Sequence, residues 1–234
     1  IALLHKNDGY FDYVWRLFME DPIKRHPTRT EQLDILASLV AEHVKDGESA
    51  LDLGFGVGYV AHLILAKKPN LSIVGVDRKT ESLDEARANF TGADIACVEG
   101  DLESLSDVAL PADSYKAIYS VLTFHDLPDA AKRAVIGWSA DHLAAGGFFL
   151  LYDRLRMTDA PLFPLQQGVW ERIEREYGTG MRTAPDFDSY IADLGDANRP
   201  ASLDEYRAWF TDAGLAFQPL HIHGNVALMA GARN

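Results

Sequence analysis

The chain has 234 residues, 47% hydrophobic and 24% charged, with 35 acidic against 22 basic side chains and a formal net charge of −13. This composition builds a full globular core and excludes disordered, collagen-like and coiled-coil readings. No apolar run approaches the roughly 18 residues of a membrane-crossing helix. The acidic excess disfavours nucleic acid as a partner, because tracking phosphates requires a basic face. The local basic groups are small: Lys24, Arg25 and Arg29; Lys67 and Lys68; Arg154 and Arg156. Cys97 is the only cysteine, which rules out a disulfide framework and points to a reducing, cytoplasmic setting. The chain opens on Ile1, which leaves a removed leader open.

Residues 1–27 carry Tyr10, Phe11, Tyr13, Trp15 and Phe18 and fit no simple period. Thr28 and Glu31, behind Pro27, have capping-box spacing and open an amphipathic helix through Leu33, Leu36, Leu39 and Val40. Unbroken apolar runs follow at 50–53, 72–76, 95–98, 117–121 and 148–152, as expected for strands covered on both faces. Cys97 falls in the third run and reads as a small buried hydrophobe rather than a nucleophile. Helical spacing separates the runs: Val60, Leu63 and Ile64, halted by Pro69; Leu83, Ala86 and Phe90; and Val135, Trp138 and His142, ending at Gly146-Gly147. Alternation of strand and helix implies right-handed crossovers in a parallel sheet. Residues 154–201 form a long insertion with Phe163, Trp170, Tyr177 and Tyr190. Ser202 and Glu205 repeat the capping-box spacing ahead of Leu203, Tyr206 and Phe210, and that helix closes at Gly214. Two final strand-like runs, 215–223 and 226–230, flank Gly224-Asn225, a hairpin signal. The expected fold is an α/β doubly wound, mostly parallel seven-stranded sheet with a terminal antiparallel hairpin. It is read as one domain: an N-terminal cover (1–29), a core (30–153), an inserted lid (154–201) and a final helix and hairpin (202–234).

The first strand runs into Asp52-Leu53-Gly54-Phe55-Gly56-Val57-Gly58 and then directly into a helix. Glycines let the backbone turn tightly against a ligand, and the helix start offers free N–H groups. Dinucleotide binding fits poorly. Tyr59 stands where that fingerprint needs its third glycine, and the Asp52 carboxylate would repel a pyrophosphate. An acid there suits a cationic ligand.

At these residues the chain resembles the class I S-adenosylmethionine-dependent methyltransferases, whose first motif is an acid followed by GxGxG. The resemblance extends to Asp77 at the end of the second strand, where the family grips both ribose hydroxyls, with Arg78 beside it. It includes Glu99-Gly100-Asp101-Leu102 at the third strand end, which implies adenine contacts from Gly100, Asp101 and Leu102. It also includes Leu143-Ala144-Ala145-Gly146-Gly147 before the fifth strand, in which Ala144 and Ala145 replace the family's Lys-Pro. The implied cofactor is S-adenosylmethionine, with S-adenosylhomocysteine as product, held by Asp52, Gly54, Gly56, Gly58, Asp77 and Asp101 together with Ser120 on the fourth strand. Four motifs at successive strand ends are more telling than any one of them, because open parallel sheets bind ligands along that edge.

The implied reaction is in-line methyl transfer to an oxygen, nitrogen or carbon of a small-molecule acceptor. After the fourth strand the chain reads Thr123-Phe124-His125-Asp126-Leu127-Pro128, without the Asn/Asp-Pro-Pro-Tyr of enzymes that methylate exocyclic amines. His125 is the candidate general base, against a purely loop-orienting role. His43, His62 and His142 lie on helical segments, and His221 and His223 alternate on a late strand. His125, Asp126 and Asp153 lack a metal-ligand spacing, so no metal is expected. The cover and insertion, with Tyr10, Tyr13, Trp15, Phe163 and Trp170, would wall an apolar acceptor pocket or else simply pack. Rival readings are a nicotinamide oxidoreductase, a carboxy-S-adenosylmethionine synthase-like enzyme that modifies the cofactor, and a tRNA or protein methyltransferase. A homodimer is compatible with all of them.

Overall fold

The computed structural model describes residues 27–177, 184–195 and 198–233, with Pro27 and Thr28 described as backbone only. The expected N-terminal cover, with Tyr10, Tyr13 and Trp15, therefore lies outside the described residues. Helix α1 (Pro27–His43) precedes β1 (Ser49–Leu53), α2 (Tyr59–Lys67), β2 (Ser72–Asp77), α3 (Thr80–Asn89) and β3 (Ile95–Glu99). A 3-10 turn (Leu102–Asp107) leads to β4 (Tyr115–Val121), a second one (Phe124–Asp126) to α4 (Asp129–Asp141), and then comes β5 (Leu143–Arg154). The inserted segment holds α5 (Phe163–Tyr177) and α6 (Phe187–Ala192), followed by α7 (Leu203–Asp212), β6 (Leu215–His223) and β7 (Val226–Arg233).

The seven strands form one sheet in the order β3-β2-β1-β4-β5-β7-β6. Strands β1 to β5 pair in parallel, and β7 joins antiparallel to both β5 and β6. The alternation of strand and helix makes β1 to β5 parallel, since each crossover returns the chain to the same end of the sheet before the next strand. The direction of winding reverses between β1 and β4, which splays the loops above their tips and opens a crevice there.

Each face buries its own apolar layer. Leu33, Leu36 and Val40 of α1, with Ala61 and Ile64 of α2, pack over Ala50, Ala117, Tyr119 and Tyr152. Val135 and Ile136 of α4, with Tyr206 and Phe210 of α7, cover Leu51, Ile118, Phe149 and Met229 on the other face. Edge strand β3 is less covered than its apolar run suggests; Cys97 there is half-buried. Thr28 falls within α1 rather than at its cap, whereas Ser202 and Glu205 make both capping-box bonds, at 3.2 and 2.7 Å. Gly224 takes φ +60° in the turn joining β6 and β7, so the expected hairpin forms. The Gly146-Gly147 turn lies inside β5, between the Tyr115–Leu143 and Ala117–Phe148 pairs, where the register shifts.

The insertion leaves and returns at its base through the Leu155–Ala201 bridge and the bond from Arg156 N–H to the Ala201 carbonyl. It carries a small core of its own, built from Phe163, Trp170, Ala184 and Tyr190. Among the described residues, no helix is long and apolar enough to cross a membrane.

Candidate active site

A cleft of about 210 Å³ opens above the tips of β1, β2, β3 and β4. Its walls include Gly54, Gly56, Asp77, Arg78, Gly100, Asp101 and Leu102, seven of the residues singled out from sequence. The glycine loop is anchored from below: the N–H groups of Gly54 and Phe55 both donate to the Val76 carbonyl at 2.9 Å. Gly54 has φ +92°, and a Cβ on it would come within 2.2 Å of the Thr123 hydroxyl, so the loop after β4 packs directly on this glycine. Gly56 has φ +54° and nothing within 4 Å of the same position. Because Gly56 walls the cleft, a side chain there would fill space a ligand can use.

Asp77 is fixed by backbone donors on both oxygens, from Gly56 N–H at 2.7 Å and Lys79 N–H at 2.9 Å. Each oxygen keeps a lone pair for a ligand hydroxyl. Asp101 accepts from Glu103 N–H at 2.9 Å, capping the 3-10 turn, and stays exposed on the cleft wall. Thus two carboxylates at neighbouring strand ends are oriented by the main chain alone.

Four expected site residues stand outside this wall. Gly58 packs under Phe90, whose ring would lie 2.3 Å from a Cβ there, and it caps α2. Ser120 is fully buried and donates to the Leu53 carbonyl at 2.6 Å, tying β4 to β1. Both brace the glycine loop from outside the cleft wall. Asp52 is 2% exposed and pairs across strands with Tyr119. Burial pushes its carboxyl well above the usual range, with Tyr119 opposing and the nearby Asp77 charge adding to the rise. Burial likewise pushes the Tyr119 phenol up, helped by the Asp52 charge.

His125 is also buried, with its two ring nitrogens facing different carboxylates. Nδ1 lies 2.6 Å from Asp153 Oδ1, and Nε2 lies 3.5 Å from Asp126 Oδ1. The Asp153 contact is much the shorter, and a neutral ring that donates to it from Nδ1 has Nε2 as its proton acceptor. Asp153 is fully buried at the end of β5, and its other donors are the Arg154 N–H at 2.8 Å and the Tyr206 hydroxyl at 3.3 Å. Asp126 itself is exposed and walls the cleft. The parts that sequence reasoning missed are Tyr206 and the positioning role of Asp153; a Tyr on a distant helix carries no local signal. Next to this group, Leu122 has φ +51°, the one positive value on a non-glycine among the described residues. Backbone strain of this kind collects at functional sites.

Lys132 on α4 is fully buried and donates to Asp129 at 2.8 Å and to the Arg199 carbonyl, so it pins the returning end of the insertion beside His125. Phe163 and Trp170 are consumed by the insertion's own core, not by the cleft. Burial pushes the Cys97 thiol up, with Arg87 opposing, as befits a packing residue. His43 and His142 bond to the carbonyls of Leu39 and Trp138 in their own helices. Among the described residues, no group of three or more His, Cys, Asp or Glu could hold a metal ion.

Residues 50–147 match the family profile of a methyltransferase domain. Over 168 residues the chain is 30% identical to a trans-aconitate 2-methyltransferase from Methylobacterium nodulans, which covers 70% of this chain and 56% of that protein. The chain thus spans little more than half the length of that relative. Among solved structures it resembles the YcgJ protein from Bacillus subtilis, with TM-score 0.61, 20% identity and coverage of 88% and 99% of the two chains. It also resembles an O-methyltransferase family protein from Burkholderia thailandensis, with TM-score 0.60, 18% identity and coverage of 93% and 61%. The mitomycin 7-O-methyltransferase MmcR gives TM-score 0.56 at 20% identity, covering 94% and 60%. At these identities the solved structures establish the fold. Together with the matched domain, the sheet order and the strand-tip cleft, they give the chain the fold of the class I, Rossmann-like methyltransferases.

Proposed function

We propose that the protein transfers a methyl group from S-adenosylmethionine to a small-molecule acceptor. The observation that carries this reading is Asp77, held by two backbone N–H groups on the wall of a cleft that also presents Asp101 and the open face of Gly56. That arrangement fits an adenosine: Asp77 accepts the ribose hydroxyls, Asp101 accepts from the adenine amine, and Leu102 offers an apolar face. When bound, the cofactor supplies an electrophilic methyl on a sulfonium. A cation near Asp52 would offset the cost of ionising its buried carboxyl, so Asp52 favours a positively charged ligand over a phosphate-bridged one.

On the acceptor side, His125 takes the proton of a hydroxyl or amine at Nε2, with Asp153 fixing the ring through Nδ1. The buried carboxylate also stabilises the imidazolium that forms. The insertion, anchored beside His125 through Lys132, serves as the lid. The similarity to a trans-aconitate 2-methyltransferase and to small-molecule O-methyltransferases supports a small acceptor over a tRNA or protein, as does the net charge of −13. Calorimetric titration with S-adenosylhomocysteine tests the reading. Binding that Asp77→Ala weakens roughly 100-fold is the expected result, and a wild-type protein that ignores the compound would refute it.

A further inference from the structure

Beyond β4, the same sheet edge gathers polar groups from four separate elements. Strand register sets two rows on the face covered by α1. His223, Val226 and Arg154 lie side by side across β6, β7 and β5, and His221, Leu228 and Tyr152 form the adjacent row. Burial pushes the Tyr152 phenol up to about 12, opposed by the charge of Arg29 of α1 and a side-chain hydrogen bond with it, and by the charge of Arg154. Gln32 of α1 donates to the His221 carbonyl at 3.4 Å. From α5, the Gln166 amide nitrogen reaches the hairpin turn, 3.6 Å from where a Cβ on Gly224 would stand.

Three buried atoms in this quarter have no hydrogen-bond partner: Arg29 Nε, Gln166 Nε2 and His221 Nδ1. Every one of them can donate, and the Tyr152 phenol stands beside them. Buried donors are rarely left unpaired, because each forfeits its hydration without compensation. Three in one quarter mark a place that favours acceptor atoms. The charges agree, with Arg29, Arg154 and the exposed Arg172 of α5 converging here in a strongly acidic chain. The nearby acids are Glu31, 4.0 Å from His221, and Asp153, whose oxygens are occupied by His125, Arg154 N–H and Tyr206.

We propose that this quarter binds a carboxylate of the methyl acceptor, so that the substrate is a small organic acid held by Tyr152, Gln166, Arg29 and Arg154. The anchored molecule extends toward the tip of β4, which is adjacent, since Leu122 N–H donates to the Tyr152 carbonyl at 2.8 Å. A carboxylate clasped by several donors loses basicity, so it acts as the handle and a different atom of the acceptor is methylated. The proposal rests on the methyl-transfer reading and names the acceptor class for that site.

The test titrates the full chain with citrate, succinate and benzoate, each beside its neutral ester or amide, with and without S-adenosylhomocysteine. Wild type, Tyr152→Phe and Gln166→Leu are compared by calorimetry and thermal melting. At least one acid binds and its neutral counterpart does not, and each variant weakens that acid about tenfold while leaving S-adenosylhomocysteine affinity unchanged. Binding of S-adenosylhomocysteine with none of the acids overturns the proposal and leaves the methyl-transfer reading intact. Variants that weaken S-adenosylhomocysteine instead also overturn it, since the carboxylate would then be the cofactor's own. Acid binding that the variants weaken, in a protein that ignores S-adenosylhomocysteine, keeps the anion site and removes the methyl-transfer reading.

Discussion

At the β1–β3 end of the strand edge, Asp77 carries a backbone N–H on each oxygen and Asp101 carries one from Glu103. At the β5–β7 end, Arg29, Gln166 and His221 each bury an atom that meets no partner. The first end is finished by its own main chain, so its ligand groups are already aimed. The second is finished only by something that enters it. Both ligands exchange at every turnover, but the first site gains from preorganisation, whereas the second leaves donors open and recovers their pairing energy on binding.

Variants at either end, and at the hinge between them, separate the two. His125 sits at that hinge, after β4 and against the end of β5. His125→Gln should lower turnover by about 10²–10⁴-fold with cofactor affinity near wild type. Asp153→Asn should lower kcat more than it raises KM for the acceptor, and single-turnover measurement of both would show it. At the cofactor end, Asp77→Ala removes two charge-assisted bonds to the ligand and should weaken S-adenosylhomocysteine roughly 100-fold. An effect confined to acceptor affinity would erase the distinction between the ends.

The two loop glycines split stability from binding. Gly54→Ala drives a Cβ against Thr123 and should cost about 1–3 kcal/mol; the fall in Tm would be about 2–4 °C per kcal/mol. Gly56→Ala meets open space, so its stability cost is near the ~1 kcal/mol of a positive φ, while S-adenosylhomocysteine binding falls. Smallest is a pH effect. The folded chain holds the Asp52 proton more tightly than the unfolded chain, so stability of the ligand-free protein declines as pH rises from 3.8 through the raised value. Asp52→Asn should flatten that decline in a Tm series across pH, raising Tm by a few degrees at neutral pH (about 2–4 °C per kcal/mol), and should weaken cofactor binding.

These same differences explain what was readable in the chain itself. The cofactor end is written in short contiguous stretches, 52–58, 77–78 and 100–102, because one strand tip and its loop supply each contact. The mostly parallel sheet was legible for a related reason: unbroken apolar runs alternate with helical spacing, although that alternation does not fix the strand order. A motif gives residue type and not direction, so it could not show that Gly58 faces Phe90 and Ser120 the Leu53 carbonyl. The acceptor end draws Arg29, Tyr152, Gln166 and His221 from four elements far apart in sequence, and no local pattern joins them. For Phe163 and Trp170 the sequence left pocket wall and plain packing both open, and the two residues pack into the insertion's own core.

The most direct measurement is a calorimetric comparison of S-adenosylhomocysteine and NAD on the wild-type protein. Strand-tip carboxylates arranged around an adenosyl cofactor predict saturable one-to-one binding of S-adenosylhomocysteine and no binding of NAD. Binding of NAD with no response to S-adenosylhomocysteine would overturn the assignment of the cleft and everything built on it.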